Sequence, residues 1–292
     1  MNVRRIVSGL IYVLSGAVGL LAFIYPFFTA APVAVHHGMA HSQDAPLVTA
    51  ALVGLSVVAL LMEVQGRSIS GKTVAMLGVL VAVTSVLRFI EVAVPMPGGF
   101  SPVFAPIILA GYVFGGRFGF LMGAFTLLAS ALVTGGVGPW LPYQMFTAGW
   151  AGMSAGWLGK LRTPGQCPPK PKLPSIVKRR SPQSADASLE FGIWDLSLLA
   201  VFGFVWGLLY GAIMNIYFWP FAVGPVEQTW APGVGLGETL ARYAVFYVVT
   251  SLAWDMARAV GNVALILLLG SPMVRALVRF RRRFHFEVQP GV

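Results

Sequence analysis

The sequence predicts an all-α polytopic membrane protein with about eight transmembrane helices. Of its 292 residues, 57% are hydrophobic and only 10% are charged, whereas about a quarter of the residues of a soluble domain are charged. The mean hydropathy is +0.78. Apolar runs of the roughly 20 residues that cross a bilayer recur along the chain. The predicted spans are 6–28, 46–64, 73–94, 103–115, 118–134, 143–158, 193–219 and 240–269.

The lengths and flanks of these runs predict the organisation of the chain. The first run is longer than the roughly 7–15 apolar residues of a signal peptide, so we expect an uncleaved helix. The fourth run is short, and the eighth is long enough to project beyond the bilayer. A segment rich in Pro, Lys and Ser predicts a flexible linker. The expected parts are an N-terminal helix pair (1–71), four core helices (72–160), the linker (161–192), two further core helices (193–270) and a basic tail (271–292).

The basic residues predict that both termini lie in the cytoplasm. Seventeen of the 20 Lys and Arg residues fall on one side of an eight-span topology. The four opposite loops contain no Lys or Arg; they are 29–45, 95–102, 135–142 and 220–237. Cytoplasmic loops of membrane proteins carry this excess of basic residues. The net charge of +10 therefore reflects the membrane topology and some contact of basic residues with lipid headgroups. No nucleic-acid partner is expected.

The chain is organised around residues 111–159, which predict two apolar helices joined by a short aromatic turn. Small residues recur four apart on both helices, which predicts close helix packing in lipid. They are Gly115, Gly119 and Gly123 in the first helix and Ala148, Gly152 and Gly156, with Ala151, Ala155 and Gly159, in the second. Trp140 lies at the turn between Pro139 and Pro142, and Tyr143 and Gln144 directly follow Pro142. They predict either a small-molecule site or an interfacial anchor without a ligand.

Ionisable residues within spans are functional hypotheses by default, because they are costly in lipid. Arg88 and Glu91 are three apart near the outer end of the third span, and Asp255 and Arg258 are three apart in the eighth. Both pairs can be intrahelical ion pairs. Alternatively, Arg88 faces a polar ligand cavity with the aromatic turn, to which Arg242, Tyr217, Trp219 and Trp230 can add. Asp255 and Arg258 are interpreted as mainly structural. Asn215 and Asn262 are polar positions in the last two spans.

Three further motifs do not support the chemistry that they suggest. Residues 66–73 match a P-loop pattern but lie between two spans, without the strand and soluble helix that a P-loop needs. Ser154 sits in a Gly-x-Ser-x-Gly pattern inside a predicted helix and lacks a histidine base. His36, His37 and His41 are only weak metal candidates, because no fixed geometry orients them. Cys167 is the single cysteine, so no disulfide framework is expected.

Residues 73–283 resemble the substrate-binding S component of energy-coupling factor (ECF) transporters, leaving the first two spans as an N-terminal addition. The resemblance rests on Arg88, on Leu109-Ala-Gly-Tyr-Val-Phe-Gly-Gly116 and on Gly138-Pro-Trp-Leu-Pro-Tyr-Gln-Met145. It continues with Asp255-Met-Ala-Arg-Ala-Val-Gly-Asn262 and the basic residues that follow. The chain departs from the family at 96–101, often a more polar loop, and at Arg258, often a histidine.

The resemblance implies a six-helix core that captures a vitamin or similar micronutrient from outside the cell membrane of a prokaryote. A transmembrane coupling subunit and two ATP-hydrolysing subunits would drive reorientation of the bundle and inward release. The protein would not be an enzyme and would hold no cofactor. The implied ligand contacts are Arg88, Trp140, Tyr143, Gln144 and Asn215. The implied contacts with the coupling subunit are Ala75, Gly78 and Ala82.

Other functions remain open at this point. A proton-coupled secondary transporter would use Asp255 or Glu91, although no inverted repeat is evident. A metal-ion uptake subunit would use His36, His37 and His41. A membrane-embedded hydrolase at Ser154 would lack a base. The ligand itself is open among cobalamin, thiamin-like and riboflavin-like compounds.

Overall fold

A computed structural model describes residues 3–29, 71–94, 99–162 and 191–283, together with seven positions between 47 and 58. Those seven positions are all helical and belong to the second predicted span. The rest of that span, His36, His37, His41 and most of the linker and tail lie outside the described residues.

The described chain is entirely helical outside its turns, which confirms the predicted fold class. Five stretches are long and apolar enough to cross a membrane: Gly9–Phe28, Gly71–Ala93, Gly116–Thr134, Ile193–Phe221 and Leu252–Arg281. The helices are α1 (Val3–Ile24), α2 (Pro26–Thr29), α3 (Gly71–Ala93), α4 (Phe104–Phe114), α5 (Gly116–Thr134), α6 (Leu141–Arg162), α7 (Ile193–Phe218), α8 (Leu236–Thr250) and α9 (Leu252–Arg283), with 3₁₀ turns at Trp219–Phe221 and Val226–Gln228.

Helices α4, α5 and α6 form the centre of the bundle, and their glycines make this possible. A Cβ added at Gly119 would collide with the backbone carbonyl of Gly152, and one added at Gly152 would collide with that of Gly119. Gly123 meets the Ala148 carbonyl in the same way. The predicted close packing of α5 on α6 is confirmed. It allows a short helix of 11 residues, α4, to be almost completely buried beside them.

Gly115 differs from Gly119 and Gly123, because it also forms the junction between α4 and α5. Its φ of 97° lies in a region that L side chains rarely adopt. No atom lies within 4 Å of a Cβ built there. A Cβ added at Gly156 of α6 would nevertheless lie 2.4 Å from the carbonyl carbon of Gly115. Gly115 therefore belongs to the close contact with α6, as expected, and it also joins α4 to α5 in a single residue.

The eighth predicted span is wrong as one continuous helix. Ser251, with φ −134° and ψ −26°, separates α8 from α9. Its hydroxyl accepts a hydrogen bond from Asn215 Nδ2 at 2.8 Å, so the break is anchored to α7. Helix α8 is largely exposed, with Phe246 as its buried residue, while α9 packs along α7. The apolar composition runs through the break, which is why hydropathy alone does not reveal it.

Helix α1 packs on α6, although it lies outside the predicted core. A Cβ at Gly19 would overlap the ring of Phe146. The rings of Phe23 and Tyr143 meet edge to face with centroids 4.8 Å apart. Tyr12 and Phe120 make a similar contact at 5.8 Å. The N-terminal helix is therefore joined to α6, which begins at the aromatic turn, and through Tyr12 to α5.

Candidate ligand site

The outer end of α3 carries an ion pair that is tied to the loop before α4. Arg88 Nη1 lies 3.3 Å from Glu91 Oε1, and Ser101 Oγ donates a 2.9 Å hydrogen bond to Glu91 Oε2. Ser101 is buried, whereas the side chains of Arg88 and Glu91 are 24% and 19% exposed. An Arg–carboxylate contact of 3.3 Å is longer than the usual charge-assisted bond of about 2.7–2.9 Å. Arg88 is thus held loosely and partly accessible.

A second ion pair lies on α9, facing α7. Arg258 pairs with Asp255, one helical turn earlier, and its Nη1 also lies 3.5 Å from the Gly207 carbonyl. The Asp255 carboxylate fits only because Gly211 has no side chain, since a Cβ there would overlap both carboxylate oxygens. Asp255 is 3% exposed. A buried charge of this kind is tolerated when it is paired and hydrogen-bonded.

Tyr210 of α7 links the two ion pairs into one polar cluster. The Arg258 guanidinium lies over the Tyr210 ring at 5.1 Å, a cation–π geometry. Tyr210 interacts electrostatically with Arg88 and Arg258 and with both carboxylates, and Glu91 interacts with Arg258 across the bundle. The sequence interpretation of Asp255 and Arg258 as a separate pair is therefore incomplete. We call Arg88, Glu91, Ser101, Tyr210, Asp255 and Arg258 the polar cluster.

The predicted site residue Tyr143 lies in an aromatic group beside this cluster. Its ring is fully buried between Phe23 of α1 and Tyr217 of α7, at 4.8 and 4.7 Å. Its hydroxyl donates to the Ala22 carbonyl at 3.4 Å. The contact of Thr147 Oγ1 with Met214 Sδ, at 3.9 Å, lies one turn further along α6. Tyr143 therefore forms the wall between α1, α6 and α7.

Trp140 and Gln144 stand at the start of α6 and are half-buried, unlike the neighbouring residues Leu141 and Tyr143. Gln144 continues the helix by donating its backbone N–H to the Trp140 carbonyl at 3.0 Å. Asn215 is engaged with Ser251 and points to the α8–α9 junction. The predicted site residues thus lie on different walls of the bundle.

The outer rim is formed by the loop after α7 and by α8. Phe27 packs against Trp219 at 5.9 Å and against Trp230 at 5.7 Å. Trp219 Nε1 donates to the Gln228 carbonyl at 2.8 Å, which fixes the loop. Arg242 is held by Glu238 on its own helix and by the Thr229 carbonyl at 3.3 Å.

Two tyrosines of α8 and Tyr210 were missed in the sequence. Tyr243 and Tyr247 donate their hydroxyls to the α7 carbonyls of Ala212 and, at 3.3 Å, Leu208. Tyr210, Met214 and Tyr217 follow the i, i+4, i+7 pattern of one helix face, a signal that could have identified Tyr210 beside the predicted aromatic residues. The two α8 tyrosines had no such signal, because their role depends on the break at Ser251.

The residues expected to contact a partner lie on a different surface. Ala75, Gly78 and Ala82 are all exposed along one side of α3. Val79 and Val83 of the same helix are also exposed, at 61% and 54%. Within the described residues, no group of three or more His, Cys, Asp or Glu side chains could hold a metal ion.

Comparison with known proteins identifies a family. The family model described as "ECF transporter, substrate-specific component" matches residues 72–270. Neither the curated proteins nor the solved structures gave a match.

Proposed function

We propose a nutrient-uptake role for this chain, because it belongs to the family of substrate-specific components of ECF transporters. It is a multi-pass membrane protein by its five apolar spans. In our proposal it lies in the cell membrane of a prokaryote, where it binds a water-soluble vitamin or similar micronutrient at its outer end. It would deliver this ligand inward without catalysing a reaction.

The polar cluster is the observation that carries this proposal. It places two guanidinium groups, two carboxylates and a phenol inside a mainly apolar bundle. Such groups are costly in lipid and mark substrate pathways. Arg88 is the member best suited to exchange partners, because its contact with Glu91 is long and its side chain is partly exposed. It would bind a carboxylate, phosphate or amide of the ligand.

The aromatic residues beside the cluster supply the apolar part of such a site. Trp140 and Gln144 are half-buried at the turn, and the tilted rings of Tyr143 and Tyr217 form an aromatic wall. Ligand sites combine predominantly apolar walls with a few placed polar groups. A ring with one charged or amide substituent fits this combination and covers most water-soluble vitamins. Because Tyr143, Tyr210 and Asp255 are buried, ligand binding would require the outer segments to separate.

Energy for transport would come from partners. The exposed apolar side of α3, including Ala75, Gly78 and Ala82, would contact a transmembrane coupling subunit, and two further subunits would hydrolyse ATP. Small residues on such a face let another helix approach closely. Replacement of Gly78 by Phe should prevent co-purification of the coupling subunit while ligand binding persists. Val205→Phe, on the exposed side of α7, is the matched control.

The test of ligand capture is the thermal stability of the purified chain in detergent with a panel of vitamins and divalent metals. A ligand that binds only the folded state stabilises it by about 2.7 kcal/mol at a hundredfold excess over its Kd. We expect one vitamin to raise the thermal stability of the wild type, and we expect this rise to be lost in Trp140→Ala. It should be retained in Trp194→Ala, because the indole of Trp194 is exposed at the cytoplasmic end. A shift with metal alone would favour the histidine loop instead.

Uptake measurements separate this proposal from a proton-coupled transporter. Cells or proteoliposomes that contain the chain without ATPase partners should bind the ligand but not accumulate it. Accumulation driven by a proton gradient alone, lost in Asp255→Asn, would contradict the proposed role and support the secondary transporter.

A further inference from the structure

A groove of about 520 Å³ opens at the cytoplasmic end of the protein, between α1 and the α5–α6 pair. Its volume lies within the roughly 300–1,000 Å³ of small-molecule sites. The groove is at the opposite end from the polar cluster and shares no residue with it. The lining residues that matter below are Gly9, Tyr12, Gly16, Arg117, Trp157 and Lys160.

The groove exists because α1 contacts α6 closely only in its outer half. Gly19 meets Phe146 there, and Phe23 meets Tyr143. Towards the cytoplasm, a Cβ added at Gly9 or Gly16 would meet no atom within 4 Å. These two glycines are therefore not required for a close contact between helices. Each costs helix stability of about 1 kcal/mol relative to alanine, and in return each leaves the groove open.

The mouth of the groove carries two basic side chains. Arg117 and Lys160 are exposed there, and the Arg117 guanidinium lies over the Tyr12 ring at 5.7 Å. Trp157 is 54% exposed between them and the apolar wall. The described residues that line the groove include no Asp or Glu. Amphipathic rings of this kind sit at the headgroup level of a bilayer, and basic pockets on the cytoplasmic side bind anionic headgroups.

We propose that this groove is a binding site for one anionic phospholipid of the cytoplasmic leaflet. Arg117 and Lys160 bind the headgroup phosphate, and an acyl chain lies along Gly9 and Gly16. A free phosphate would use the cations but not the apolar wall. A zwitterionic lipid would use the wall but would gain less from the two cations. The lipid would add to the contacts of Tyr12 with Phe120 and Arg117 in holding this end of α1 against the bundle.

The experiment is native mass spectrometry of the full-length chain, delipidated and then titrated in mixed micelles with phosphatidylglycerol or phosphatidylcholine. We expect one phosphatidylglycerol to bind in preference to phosphatidylcholine. Each basic residue near a membrane surface contributes about 1 kcal/mol, or roughly fivefold in affinity. The double variant Arg117→Gln/Lys160→Gln should therefore lose roughly 30-fold. Gly16→Leu, whose added Cβ meets no atom within 4 Å, should place its side chain in the groove and abolish binding.

Matched controls distinguish the groove from general lipid contact. Ala17→Leu adds the same side chain on the exposed side of α1, and Arg275→Gln removes an exposed cytoplasmic charge elsewhere. Both should bind phosphatidylglycerol like the wild type. Equal binding of phosphatidylcholine, displacement by inorganic phosphate, or unchanged binding in Gly16→Leu would each overturn the proposal. It would also be overturned if Gly16→Leu released a co-purifying protein while lipid binding was unchanged, because the groove would then hold a partner helix.

Discussion

The contact between α5 and α6 gives opposite expectations for the same substitution at two glycines. In Gly152→Ala, the added Cβ would lie 2.9 Å from Gly119 Cα and still closer to its carbonyl. Both are backbone atoms, so no side chain can rotate away and the helices must separate. In Gly78→Ala, on the exposed side of α3, the added Cβ meets no atom within 4 Å.

The expected free energies follow from two terms. Alanine in place of glycine gains about 1 kcal/mol of helix propensity at either position. Overpacking a tight contact costs about 1–3 kcal/mol, and occasionally more. Because the obstacle is backbone, we expect the upper part of that range, so Gly152→Ala should lower the free energy of unfolding by about 2 kcal/mol. Gly78→Ala should leave it unchanged or raise it by up to about 1 kcal/mol.

The assay is denaturant unfolding in detergent, followed by tryptophan fluorescence with size-exclusion chromatography as a check on folding. The double variant Gly119→Ala/Gly152→Ala should be less destabilised than the sum of the two single variants, because one helix displacement relieves both collisions. Equal stability of Gly152→Ala and the wild type would refute the reasoning, as would full additivity in the double variant.

Three other substitutions test polar and aromatic contacts, the first two by the same unfolding assay and the third by hydrogen exchange. Arg258→Met should destabilise the protein by about 3–5 kcal/mol, because it leaves the buried Asp255 carboxylate without its arginine partner. The double variant Arg258→Met/Asp255→Leu should recover much of this loss. A double variant no more stable than Arg258→Met would contradict the pairing. Ser251→Ala should cost about 1–3 kcal/mol by leaving Asn215 Nδ2 unsatisfied, whereas Thr239→Ala, at an exposed hydroxyl of α8, should be nearly neutral. Phe27→Ala should loosen the outer rim, measured as faster hydrogen exchange in residues 219–230; unchanged exchange there would show that its contacts with Trp219 and Trp230 do not hold the loop.

The helical core was largely predictable from the sequence, because a lipid environment requires long apolar helices and favours small residues where the helices pack closely. Apolar length identifies spans, and small residues four apart identify faces of close packing, as Gly119, Gly123 and Gly152 show. Hydropathy did not reveal the break at Ser251, which depends on a hydrogen bond from Asn215, 36 positions away in sequence.

The candidate site was predictable in its parts and less so in its assembly. Arg88 and Glu91 were evident as ionisable residues inside a span, and so were Asp255 and Arg258. They are united by the contact of Arg258 with Tyr210 and by electrostatic interactions of Tyr210 with Arg88 and Glu91, which no spacing along one helix encodes. Conversely, Tyr143 was singled out as an aromatic at a turn, but only the position of α1 shows why its ring is fully buried.

The most direct test of the central claim, ligand capture at the polar cluster, is the affinity of Arg88→Gln for the vitamin that stabilises the wild type. Loss of a hydrogen bond to a charged group costs about 1.5–3 kcal/mol, so we expect roughly 10- to 150-fold weaker binding by calorimetry. Arg242→Gln, which removes a charge paired with Glu238 on α8, should bind within roughly twofold of the wild type. Wild-type affinity in Arg88→Gln would contradict the account, because the ligand would then bind elsewhere.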